Sequence, residues 1–125
     1  MADPLIEQAL TRRAPLFTSA ETDAFRVLHR AADGLPQLAV DRFADVLVAH
    51  VGLTTAGSIG ASWALTLDEA IDKVNAIAAA GKAAREDILV ICHGGPFDEP
   101  ENVGQALARM PGIAGFFGAS SIERL

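Results

Sequence analysis

The chain has 125 residues, half of them hydrophobic and 21% charged, which suits one domain with its own core and argues against disorder. A net charge of −6 and a pI near 4.9 leave no basic stripe to displace phosphate counterions, which excludes an electrostatic nucleic-acid partner. Cys92 is the single cysteine, so no intramolecular disulfide is available. No apolar stretch reaches the roughly 18 residues of a membrane span, and Met1-Ala2-Asp3-Pro4 lacks the basic start of a signal peptide. A soluble cytoplasmic domain is expected, with neither membrane nor nucleic acid as partner.

In chain order, the first signal is a short helix over Pro4–Arg13. Asp3 stands at the N-cap and Pro4 at the first helical position, while Leu5, Ile6, Ala9 and Leu10 share one face. Pro15 is expected to end it. Phe25–Arg30 and Leu38–Phe43 then read as an antiparallel, partly solvated ribbon with Asp33-Gly34 in its turn. The chain changes character near Ala44-Asp45. Val46–Val51, Ile88–Cys92 and Ile113–Phe117 are solid apolar runs, the pattern of strands buried on both faces of a parallel sheet. Each ends in a Gly-bearing loop.

The segments between these runs read as helices. Thr66-Leu67-Asp68-Glu69 is a capping box, with Glu69 reaching back to the cap. Leu67, Ala70, Ile71, Val74, Ile77 and Ala78 form an apolar stripe that ends near Gly81. Asp98-Glu99-Pro100-Glu101 opens a second helix, striped by Val103, Ala106, Leu107 and Met110 and stopped by Pro111-Gly112. Ser120-Ser121-Ile122-Glu123 reads as a further helix start. The expected fold is α/β: a βαβαβ unit of parallel strands, preceded by an N-terminal helix and an antiparallel ribbon, in a single domain over 1–125 with segments 1–44 and 45–125.

Two stretches carry resemblances. "AFRVLHRAADGLPQLAVDRFADVLV", residues 24–48, resembles the small β-ribbon linker of PUA-containing ribosomal RNA large-subunit cytosine methyltransferases. Gln37 and Ala31-Ala32 depart from that family's pattern, and its S-adenosylmethionine site and catalytic cysteine region have no counterpart, so the resemblance implies local shape only. Residues 45–125, through "ADVLVAHVGLTTAGSIGA", "LTLDEAIDKVNAIAAAGKAAREDILVICHGGP" and "GIAGFFGASSIERL", resemble the C-terminal part of the phosphoenolpyruvate-hydrolase-like TIM-barrel family. The second resemblance implies a partial barrel, about the last three of eight strands. Together the two suggest a chimera-like chain, joined at "Ala-Asp-Val-Leu-Val".

His50 and His93 end two strands at equivalent positions, so both are candidates for acid–base or ligand-binding work, or for simply shaping their loops. Two histidines without further ligands do not make a metal site, and no cofactor is expected. Thr54, Thr55 and Ser58 lie in a hydroxyl- and Gly-rich loop able to cradle a phosphate or carboxylate, or merely to turn the chain. Gly94, Gly95, Gly118, Ser120 and Ser121 form the other candidate anion loops, at positions where the barrel resemblance implies phosphate binding. Cys92 faces away from His93 by the strand period of two and is expected to be buried and inert. Trp63, Phe116 and Phe117 read as core or interface.

The function expected from this inventory is a non-catalytic recombinant or truncated α/β domain that keeps an anion-binding loop edge. The alternative is a small-molecule hydrolase or lyase like the parent family, with catalytic residues among His50 and His93. Crossovers of one hand put the connecting helices on one face of the sheet. The opposite face then stays apolar and uncovered, so self-association as a homodimer or larger assembly is expected.

Overall fold

In a computed structural model the described residues are 3–19, 21–52, 65–94, 97 and 100–116. The element order is α1 (Pro4–Phe17), β1 (Ala24–His29), a 3₁₀ turn (Arg30–Asp33), β2 (Ala39–Phe43), β3 (Val46–His50), α2 (Leu67–Ala84), β4 (Leu89–His93), α3 (Pro100–Ala108) and β5 (Gly115–Phe116). The strands form one mixed sheet in the order β1-β2-β3-β4-β5. β1 pairs antiparallel with β2 and β2 with β3; β3–β4 and β4–β5 are parallel. The ribbon therefore extends the parallel strands sideways into an α/β sheet.

α1 starts as its sequence dictates: the Asp3 carboxylate accepts from the Leu5 and Ile6 N–H groups at 3.1 and 3.4 Å. Lys73 of α2 also grips Asp3, tying the two helices together. Pro15 does not end α1, which runs two residues further to Phe17. Proline removes the N–H that would bond the Thr11 carbonyl and crowds that carbonyl, so the turn beyond it needs outside support. The last turn is held from outside, because Phe17 is buried edge-on against Phe25, with ring centroids 5.2 Å apart. Arg42, 4% exposed, lies over both rings, donates to the Ala44 carbonyl at 2.8 Å and reaches the Leu16 carbonyl at the helix end.

α2 is capped as expected at its backbone, Glu69 N–H donating to Thr66 Oγ1 at 3.2 Å, but the Glu69 carboxylate accepts from the Thr66 hydroxyl rather than from a backbone N–H. Gly81 does not stop the helix, which continues to Ala84. It is a packing position instead: a Cβ there would sit 2.6 Å from Leu47 Cδ1, so glycine lets α2 press onto β3. In α3, Ala106 and the following Met110 are buried, whereas Leu107 is exposed rather than part of the inner stripe.

The core lies on one face of the sheet. Val40, Leu47, Ala49, Val90 and Cys92 point there and are buried against Ile6, Leu10, Ile71, Val74 and Ile77. Val27 and Leu28 are neighbours yet both buried, because a bulge between Arg26 and Leu28 shifts the β1–β2 register. The parallel strands are not buried on both faces as their solid apolar runs suggest: β3 and β4 alternate, with Leu89 51% exposed. The reason is tertiary. The described helices share the core face, and the other face carries Phe43 and Leu89, about half exposed, with Val46, Val48 and Ile91 at intermediate exposure.

Candidate functional site

β3 and β4 run parallel and in register, so Val46 stands beside Leu89, Val48 beside Ile91 and His50 beside His93. The two histidines thus leave the same face at the same end of the sheet, with ring centroids 5.6 Å apart and planes at 89°. Both strands then turn through glycines at positive φ, Gly52 at 89° and Gly94 at 81°. The turns touch: a Cβ on Gly94 would meet the Gly52 carbonyl oxygen at 2.9 Å, and Val51 N–H donates to the His93 carbonyl at 3.0 Å. Only glycine permits this close approach beside the histidine pair.

The polar row continues into the ribbon. Asp41 of β2 faces Val48 in register and reaches His50 diagonally, with Oδ2 3.2 Å from His50 Nε2. Arg26 of β1 faces Asp41 and donates to it twice, from Nε at 2.7 Å and from Nη2 at 3.0 Å. The Arg26 guanidinium is also 3.3 Å from His29 Nδ1. All three histidines of the chain therefore gather at one end of the sheet, His29 and His50 linked through Arg26 and Asp41, and His93 edge-on against His50.

Burial lowers the His50 pKa below the ordinary imidazole value of 6.5; the Asp41 carboxylate opposes it and His93 reinforces it. Hydrogen bonding from Arg26 holds the Asp41 carboxyl below the usual carboxylate range against the opposing effect of burial. At pH 7 the row is an ionised aspartate beside a neutral His50. Cys92 stays out of it. Its residue pairs with Ala49 on the core face, is 1% exposed, and burial pushes the thiol up to about 11, so it offers no thiolate.

Of the residues expected in the site, the structure brings together His50, His93 and Gly94. Thr54, Thr55, Ser58, Gly95, Gly118, Ser120 and Ser121 lie outside the described residues, as do Trp63 and Phe117. Among the described residues no group of three or more His, Cys, Asp or Glu side chains is placed to hold a metal ion, and no helix is long and apolar enough to cross a membrane. Sequence reasoning missed Arg26 and Asp41. Their signal was present: the two stand equidistant from the Asp33-Gly34 turn, which in an antiparallel ribbon makes them opposite neighbours.

Comparison with known proteins agrees with the two resemblances seen in the sequence. Two tomato (Solanum lycopersicum) proteins, described as "ToMV susceptible protein tm-1(GCR26)" and "ToMV resistance protein Tm-1(GCR237)", are each 52% identical over 82 residues, which is 66% of this chain and 11% of theirs. A ribosomal RNA large subunit methyltransferase from Deinococcus radiodurans is 49% identical over 47 residues, 34% of this chain and 12% of the enzyme. The chain thus spans about a tenth of the length of these relatives. The phosphoenolpyruvate hydrolase-like family matches residues 29–125, starting inside the ribbon, ahead of residue 45, and so taking in Asp41 along with both site histidines. The chain belongs to the phosphoenolpyruvate hydrolase-like family.

Proposed function

We propose that the sheet edge at His50, His93 and Gly94 binds a small anion bearing a carboxylate or phosphate, and that this chain by itself turns over no substrate. The observation that carries the reading is the in-register histidine pair with its two touching glycine turns. Parallel α/β sheets place ligands beyond the carboxyl ends of their strands, where turning backbone and polar side chains converge. Imidazoles supply donors of adjustable charge, and glycines let a ligand approach the backbone. Thr54, Thr55, Ser58, Gly95, Gly118, Ser120 and Ser121 are proposed to complete the cradle. Barrel enzymes draw catalytic groups from several strand ends, and the one cysteine here is buried away from the site.

Titration with phosphate and with phosphoenolpyruvate, followed by amide shifts, tests this. Perturbation of Gly52, His93 and Gly94 at millimolar ligand, weakened roughly tenfold by His93→Ala through a lost charge-assisted hydrogen bond, is the expected result. Shifts absent from these positions would overturn the site. Hydrolysis of phosphoenolpyruvate that vanishes in His93→Ala would favour the second reading, a hydrolase or lyase like the family's name.

The open face supports a further part of the proposal, self-association. Phe43 and Leu89, 54% and 51% exposed, flank Val46 in one apolar row. A two-fold axis would lay that row on its own copy in a homodimer. Light scattering at tens of micromolar decides between dimer and monomer. Placement in a reducing cytoplasm suits the lone thiol and is proposed with it.

A further inference from the structure

A carboxylate only accepts hydrogen bonds, so at neutral pH the hydrogen in the His50–Asp41 contact belongs to Nε2, and the lone pair falls to Nδ1. Asp41 cannot easily swing away, because Arg26 holds both of its oxygens. The arrangement follows from register: β1–β2 pairing sets Arg26 opposite Asp41, and β2–β3 pairing sets Asp41 one diagonal step from His50. The family match also takes in Asp41 together with both histidines.

We propose that Asp41 is a positioning residue, fixing His50 as the Nε2–H tautomer so that Nδ1 is the nitrogen offered to the ligand. The inference rests on the anion-site reading only for where that ligand sits. A neutral Nδ1 presents a lone pair, which repels an anion and accepts from a hydroxyl, water or protonated acid. To bind an anion the ring must first take a proton: a new N–H forms at Nδ1, and the positive charge is balanced by Asp41 across the ring. Binding is therefore linked to uptake of one proton, and affinity rises as pH falls, by at most about tenfold per pH unit. The charged and titratable groups facing His50 are Arg26 and, through it, His29 from β1, Asp41 from β2 and His93 from β4.

Histidine nitrogen-15 spectra of the full chain at pH 7.5, without ligand, test the proposal directly. Wild-type His50 is expected to show the Nε2–H pattern. In Asp41→Asn, Arg26 keeps the amide oxygen and turns the NH₂ toward His50, so the proton moves to Nδ1 and the two nitrogen shifts exchange. In Asp41→Ala the titration of His50 moves to lower pH. An Nδ1–H pattern in the wild type overturns the proposal, and so does an unchanged tautomer and titration in Asp41→Asn. The wild-type spectrum decides even if a variant fails to fold. Sulfate, which stays a dianion throughout, titrated at pH 6 and 8 forms a separate arm: tighter binding at pH 6 supports the linkage, and equal affinity at both overturns it. Sulfate that binds at neither pH, with the tautomer as expected, overturns the anion site but not the role of Asp41.

Discussion

The two faces of the sheet are built from the same strands and serve opposite ends. On the core face Leu47, Ala49, Val90 and Cys92 are at or below 1% exposure, whereas their chain neighbours Val48, His50, Leu89, Ile91 and His93 remain open in varying degree. The contrast extends to the aspartates. Asp33, buried beside the core, is satisfied by the His29 N–H and by Arg12 and Arg13; Asp41, on the open side, is held by Arg26 and His50. A buried carboxylate survives only if several donors surround it. A half-open one can be partly satisfied and keep a second contact for chemistry. Stability is concentrated on one face and the candidate site on the other.

The strongest way to break that contrast is a matched pair of truncations. Leu47→Ala should cost about 3 kcal/mol by emptying space against α2, whereas Leu89→Ala should cost under about 1 kcal/mol. Urea unfolding at low protein concentration reads both, and equal losses would mean the open face is covered. The aspartates come next. Burial pushes the Asp33 carboxyl up, but the His29 N–H and then Arg13 and Arg12 outweigh it and bring the group down to about 2. Its pKa is thus depressed on folding, so its contribution, about 2 kcal/mol, is present above the unfolded value and lost as pH falls from 3.8 through about 2. Asp33→Asn should forfeit a similar amount at pH 7, while Asp41→Asn, on an accessible ion pair, should cost about 1 kcal/mol or less.

A change that touches neither face calibrates these. Ala44 turns between β2 and β3 at a φ of 52°, where an L side chain is strained. Ala44→Gly should stabilise by up to about 1 kcal/mol, since relief of that strain competes with added chain entropy. The smallest effect belongs to His50. Its pKa is depressed by burial, so the unfolded chain takes the proton first; stability is full above 6.5 and is lost as pH falls through the folded value. Urea midpoints at pH 7.5 and 5.5 should show a loss on acidification that is smaller in His50→Gln. An equal loss in that variant would assign the effect to other groups.

How much was legible depended on whether a signal was local. Asp3 beside Pro4 and Thr66 three residues before Glu69 announce helix starts through bonds within one turn, and both caps form. The run from Leu89 to His93, and the resemblance over residues 45–125 that contains it, led to the family and to the histidine pair. Pro15 misled because the force that carries α1 past it, the Phe17–Phe25–Arg42 stack, joins residues far apart in the chain. Gly81 looked like a stop for want of knowledge that Leu47 would press against it.

By itself the amino-acid sequence determined the helix starts at Asp3 and Thr66, the order of the described helices and strands, the inert placement of Cys92 and the two histidines at matching strand ends, because each follows from the strand period, the helix period or a cap a few residues away. Only the tertiary structure decided which face of the strands is covered, that Arg26 and Asp41 join the histidines, and that Arg42 and Asp33 are buried. Those outcomes depend on how separate elements pack and register, and the free energy that sets a register comes from burying one whole face at once rather than from any single stretch of chain.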